Sequence, residues 1–163
     1  MQSHTVRNSL SFLLLLLFLS RIHAAADIKQ GGWDLHLTGF VRGAATPAYK
    51  VLADEKRQEC FSNSYLEGNP FQNPERERRL LEPNFGICSV AAQSITAAVA
   101  SWTIDCATAG ERTKIETINT FSEDGMVLLT ETATTNAKGE VVQVRMLQEY
   151  QYLGACTPRM SNR

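Results

Sequence analysis

From Phe85 onward the chain is a succession of alternating runs separated by very short turn signals, and that pattern leaves few folds open. "FGICSVAA" and "AAVASWTIDC" flank a turn expected near Gln93 to Thr96. "TKIETINTF" and "MVLLTETAT" flank Glu123-Asp124-Gly125, and "NAKG" leads into "EVVQVRMLQEYQYLGAC". Period-two alternation marks half-buried strands, because successive side chains point to opposite faces. Asp-Gly is a two-residue hairpin signal, since a type I′ turn needs positive φ. Parallel neighbours need crossovers of a dozen residues or more, which these short links cannot supply, so the strands must form an antiparallel meander.

The last run adds curvature. Glu140 to Leu153 would span over ~40 Å at ~3.3 Å per residue, against ~20 Å for a usual strand. Both of its faces are apolar: Val142, Val144, Met146, Tyr150 and Tyr152 on one, Val141, Leu147 and Leu153 on the other. Such a strand must twist, coil or carry a bulge. The expected fold is therefore mainly β: a curved antiparallel meander sheet, in its most curved form a half-open barrel.

The first half supplies two more strands and one helix. In "GGWDLHLTGFV", Trp33, Leu35 and Leu37 alternate with Asp34, His36 and Thr38, which puts His36 on the polar face. Pro47 marks a turn, and Ala48 to Phe61 reads as a second strand, with a bend or bulge at Asp54-Glu55-Lys56. Between Cys60 and Cys88 the texture changes to Pro, Asn and Gly. Asn73 then Pro74 form an N-cap and N1 pair before "ERERRLL", which predicts one short helix over Pro74–Leu81. Its alternating Glu75, Arg76, Glu77, Arg78 and Arg79 read as a solvated face.

Arg7, the apolar run Leu10–Leu19 and Ala24-Ala25-Ala26 have the layout of a cleavable signal peptide over residues 1–26. The apolar run is about half the ~20 residues that a spanning helix needs, so no transmembrane span is expected after cleavage. One β-rich domain, residues 27–163, remains, about 137 residues and long enough to bury a core. The formal charge of −1 falls to about −3 with loss of Arg7 and Arg21. A mildly acidic domain lacks the basic patch that nucleic acid requires, so no nucleic-acid partner is expected. The expected address is export, to the periplasm or beyond.

Cleavage leaves His36 as the one histidine and Cys60, Cys88, Cys106 and Cys156 as the cysteines. Four cysteines in an exported chain read as two disulfides. No C-x-x-C pair supplies pre-organised zinc ligands, so no metal or other cofactor is expected. Of the three possible pairings the favoured one is Cys60–Cys88 with Cys106–Cys156, stapling the helical excursion at its base and tying the Trp102 strand to the last strand. The rival is Cys88–Cys106, 18 residues apart across one hairpin.

"GGW" at Gly31–Trp33, Cys60, Cys88, "SWTIDC" at Ser101–Cys106 and the terminal "YQYLGAC" together resemble an exported bacterial family, domain-of-unknown-function family 3617. The resemblance spans most of residues 27–163 and is best from Cys88 to Cys156. It departs at "CFSNS", where that family often has Cys-x-Thr, and at Gln30, where it has proline. It implies a fold and an envelope address, and no catalytic residue.

Enzyme chemistry finds little support in the residues. His36 is the one imidazole base, and no G-x-S-x-G elbow, P-loop or dinucleotide fingerprint is present. Glu55, Glu59, Glu116, Glu123, Asp124 and Glu131 read as surface charges on strands and turns. The expected function is a non-catalytic binding module, with an apolar small molecule or lipid on the concave sheet face. Trp102, Met126, Leu128, Met146, Tyr150 and Tyr152 are the candidate ligand-facing residues. The alternative is a domain docking on another envelope protein through a sheet edge or through Arg76, Arg78 and Arg79; an enzyme using His36 or surface carboxylates ranks last.

Overall fold

The computed structural model describes residues 26–163, so the expected signal peptide, Ala26 apart, lies outside the described residues. Strands β1 (Gly31–Gly43) and β2 (Thr46–Phe61) come first. Helices α1 (Asn63–Leu66) and α2 (Pro74–Phe85) follow. The chain continues through β3 (Ile87–Ile95), β4 (Val99–Ala107), β5 (Glu111–Phe121), β6 (Gly125–Asn136) and β7 (Val141–Gly154) to a short β8 (Ser161–Asn162). The fold is mainly β, as expected. One sheet has the order β3-β4-β5-β6-β7-β1-β2-β8 and is not closed. Every pairing is antiparallel except β2 with β8.

The hairpins form where the short links fall, though local chemistry moves several turns. The β5–β6 link closes with Ser122 N donating to Gly125 O at 2.8 Å, so Glu123 and Asp124 are its central residues. Gly125 is not at positive φ; it begins β6, where a Cβ would lie 3.3 Å from Tyr150 O. The glycine therefore serves close approach of β7 rather than the turn. The β3–β4 turn lies at Thr96–Val99, later than expected, held by Thr96 Oγ1 against Val99 O and N at 2.8 and 3.0 Å. Gly43 pairs with Thr46, so the β1–β2 turn is Ala44-Ala45 and Pro47 lies inside an edge strand, where no ladder hydrogen bond need be lost. The β2 bulge is at Leu52, between Ala53 and Val51, rather than at Asp54–Lys56. The long β7 does carry its irregularity: Leu153 is the extra residue between Tyr152 and Gly154.

The excursion holds two helices rather than one. Asn73 Oδ1 caps α2 as expected, accepting from Arg76 N at 3.0 Å. The helix runs past Leu81 because Leu81 and Phe85 pack on Cys88, Trp102, Ile104, Cys106 and Ile115, which outweighs the helix-breaking tendency of Pro83. The helix ends on Gly86, at φ 81°. A second cluster joins Trp33, Leu35, Phe61, Phe71, Met126, Leu128 and Tyr150. Both clusters lie on one face of the sheet, the face that α2 covers. Gln72, almost wholly buried, ties the excursion down: its Oε1 accepts from Ala26 N at 2.9 Å and its Nε2 donates to Thr96 O at 3.0 Å.

All four cysteines are bonded, but as Cys60–Cys156 and Cys88–Cys106, so the favoured pairing is corrected. A β3 bulge explains the second bond. The Thr96–Val99 turn pairs Ile95 with Ala100 and Ala92 with Thr103. Continued in that register, Cys88 would face Ala107 and Cys106 would point to the other side. The extra residue, Ala91, shifts the ladder by one, so that Cys88 faces Cys106 with Cα atoms 4.0 Å apart. The first bond follows from strand order. Gly32 on β1 pairs with Cys60 on one side and Gly154 on the other. Past Gly154 (φ 97°) the chain crosses the end of β1 to add β8 beside β2, bringing Cys156 to Cys60 with Cα atoms 5.5 Å apart. Cys106–Cys156 would have to join β4 to the far end of β7, three strands away, and Cys60–Cys88 opposite ends of the sheet.

Candidate functional site

The six residues nominated as ligand-facing share a face, but it is the face that α2 and the aromatic cluster cover. Trp102, Met126, Leu128 and Tyr150 are buried at 4, 3, 6 and 7 % exposure, packed as core; Met146 and Tyr152 are half-buried. Trp102 Nε1 donates to Glu77 at 2.6 Å, and Thr117 Oγ1 donates to the same carboxylate at 3.2 Å. Burial raises the Glu77 carboxyl above its ordinary range, against the pull of those two hydrogen bonds. Tyr150 packs on Phe61 and Phe71, with ring centroids 5.7 and 6.1 Å away, and burial holds its phenol well above the usual value. Tyr152 packs edge-on against Trp33 at 5.2 Å and donates to Gln30 O at 3.1 Å. These side chains pack chiefly on one another, although Trp102 also borders a trough on the opposite face, and Met126 and Tyr150 border a depression at the other end of the sheet.

A recess of about 130 Å³ beside Ile28, Trp33 and Met126 is on the covered side, and the opposite, helix-free face carries larger depressions. A trough of about 440 Å³ crosses β3, β4, β5 and β6. Its apolar lining includes Ile118, 46 % exposed, and Leu129; Ser94, Ser101, Thr103, Glu116 and Glu131 are also in the lining. Register explains the arrangement. Ser101, Ile118 and Leu129 follow one another across β4, β5 and β6, and Leu147 continues the row on β7. All of them are out of phase with the core positions Trp102, Thr117 and Leu128. The register set by the Thr96–Val99 turn places Ala92 and Ser94 along this trough, and the β3 bulge beyond them returns Cys88 to the covered face.

Next to the trough lies a band of charge. Glu116 and Glu131 face each other directly across β5 and β6. Like charges opposite one another destabilise a strand pair unless each has a counter-ion. Lys114 Nζ lies 2.6 Å from Glu116, and Arg145 Nε donates to Glu131 at 2.6 Å. The hydrogen bond to Glu116 raises the Lys114 ammonium above its ordinary range. A smaller recess of about 80 Å³ adjoins, lined by Tyr49, Lys114, Gln143 and Arg145 and sharing Glu116 and Glu131 with the trough. Tyr49 has the Arg42 guanidinium 4.8 Å and the Arg145 guanidinium 5.6 Å from its ring centroid. A third depression, about 460 Å³, lies at the other end of the same face and includes Asp34, His36, Val127 and Glu149. There His36 Nε2 is 2.9 Å from Asp54 and Nδ1 3.7 Å from Glu149.

Of the carboxylates read as surface charges, Glu59 is not one. It is 1 % exposed, accepting from Arg57 Nε at 2.8 Å and Arg163 at 2.9 Å. The helix arginines are distributed as a solvated face: Arg78 pairs with Glu75 and Glu82, Arg76 lies over Tyr65, and Arg79 is exposed. Ile118, Leu129, Tyr49, Arg42 and Arg145 were not nominated from the sequence. The signal was present for the first two: in "KIETIN" Ile118 falls three residues after Ile115, so one of them must leave the core face, and Leu129 directly follows the core residue Leu128. Among the described residues no helix is long and apolar enough to cross a membrane, and no group of three or more His, Cys, Asp or Glu could hold a metal ion. No family model matches this chain, and neither a curated protein nor a solved structure is matched by it.

Proposed function

We propose that this is an exported, disulfide-bonded binding module that takes an apolar small molecule on the open face of its sheet. The observation that carries this reading is the trough across β3–β6. Its volume of about 440 Å³ suits a small molecule, given that ligand sites run from about 300 to 1,000 Å³. Ile118 and Leu129 supply the apolar surface, and the hydroxyls and carboxylates around them supply orientation. The proposed site thus lies on the face opposite that of most of the residues expected to face a ligand, and of those Trp102 borders it. Export, with the periplasm as the address, is supported by the N-terminal apolar run and the two disulfides, which persist in oxidising compartments. The resemblance to family 3617 points to the same address.

The test is titration with the neutral apolar dye N-phenylnaphthylamine. One saturable site is expected, lost in Leu129→Glu while urea denaturation of the variant remains a single cooperative transition, which shows that it is folded. Unsaturable binding, or undiminished binding by the folded variant, would overturn the trough as the site.

A further inference from the structure

Resting on that reading, we propose that the ligand is an amphiphile with an anionic headgroup, its chain along Ile118 and Leu129 and its head at Arg42 and Tyr49. The trough and the small recess share Glu116 and Glu131, so together they make one groove running across the strands. Its lining changes character along the way. On the β4–β6 side it is Ile118, Leu129, Ser101 and Thr103; on the β7 side it is Tyr49, Lys114, Gln143 and Arg145. Leu129 registers with Leu147 and Thr38, so from Leu129 to Arg42 is two strand steps of about 4.8 Å and four residues along the strands at about 3.3 Å each, a diagonal of roughly 16 Å, which is the reach of a medium-length acyl chain.

The sign of the head follows from the accounting of charge. Glu116 is matched by Lys114 and Glu131 by Arg145. Arg42 is the third cation, and among the described residues no carboxylate lies within 4.0 Å of it. Its guanidinium donates one of its five N–H groups to Gln143 Oε1 and lies over the Tyr49 ring. Tyr49 is held between two guanidiniums, and its hydroxyl donates to Gln143 at 3.4 Å. Arg42 stands beside the recess, joined to its lining through Gln143 and Tyr49, and a half-buried guanidinium with free donors and no counter-ion is the arrangement that recognises a carboxylate or a phosphate-type oxyanion. A cationic head would meet Arg42 uncompensated, and could be held only between Glu116 and Glu131, whose charges are already neutralised.

The experiment displaces bound N-phenylnaphthylamine with three ligands of one chain length, below their micelle concentrations: dodecanoate, dodecanol and dodecyltrimethylammonium. Dodecanoate is expected to act at about tenfold lower concentration than the cation, the scale of one charge-assisted hydrogen bond. Arg42→Gln is expected to remove that advantage and leave dodecanol unchanged, and Arg42→Lys to recover part of it. If dodecanol displaces the dye but dodecanoate holds no advantage, or keeps its advantage in Arg42→Gln, the headgroup assignment is overturned and the trough stands. If none of the three displaces the dye, the trough reading falls and this inference falls with it.

Discussion

The two faces of this sheet are built from the same strands and are used in opposite ways. On the covered face Trp33, Phe61, Trp102, Ile115 and Tyr150 are almost wholly buried, and even their polar neighbours Thr117 and Asn119 are spent on the excursion, donating to Glu77 and to Phe71 O. On the open face Ile118 and Val127 remain 46 and 38 % exposed among compensated charges. Burial of aromatic surface stabilises this fold, and a face so packed keeps little surface for a ligand beyond a recess of about 130 Å³ beside Trp33 and Met126. Apolar side chains left over on the other face mark where binding is affordable.

The disulfides offer the largest test of that difference, because one lies inside the covered face and the other does not. Cys88 and Cys106 are buried, whereas Cys156 is exposed at the end of the sheet. By loop-closure entropy the 96-residue separation of Cys60–Cys156 is worth about 4.7 kcal/mol and the 18-residue Cys88–Cys106 about 3.2 kcal/mol. Mild reductant should therefore open Cys60–Cys156 first, with the larger loss of stability, as followed by thiol alkylation, peptide mapping and denaturation. Opening of Cys88–Cys106 first would mean that the covered face breathes more than its packing indicates.

Side-chain truncation probes the faces directly. Phe61→Ala should cost about 3–5 kcal/mol, because it empties the centre of the aromatic cluster. Ile118→Ala should cost well under half of that by the same denaturation measurement, since much of its surface is already in water. Equal costs would show that Ile118 is covered in solution, by ligand or by partner.

The smallest expected effect is electrostatic. Glu77 has a raised carboxyl in the folded state, so the folded protein binds that proton more tightly than the unfolded chain does. Its contribution favours folding at pH below the ordinary value of 4.5 and is lost as pH rises through the raised value. Glu77→Gln keeps one acceptor oxygen for Trp102 and turns an amide N–H toward Thr117, whose hydroxyl can accept it, and should flatten that part of the stability profile in urea titrations at a series of pH values. An unchanged profile would assign the pH dependence to other carboxylates.

Much of the covered face could be read from alternation alone. Trp33 with Leu35, and Trp102 with Ile104 and Cys106, lie on common faces as their spacing requires, and Asn73-Pro74 starts a helix where capping chemistry places it. The site was less legible, because the residues nominated for a ligand were chosen for size and apolarity, which are equally the properties of a core. Which of two apolar stripes gets covered depends on where α2 docks, and no local pattern in "ERERRLL" says so.

The sequence by itself determined that the chain makes an antiparallel meander with one helical excursion, because period-two alternation and short links are local and admit little else. Only the tertiary structure decided which cysteines meet and which face stays open. The first turns on one residue of register at Ala91 and on the crossing of the chain past Gly154, the second on where α2 docks. A single-residue shift reverses the side to which every following side chain points, at a cost in local propensity too small to be written in the sequence.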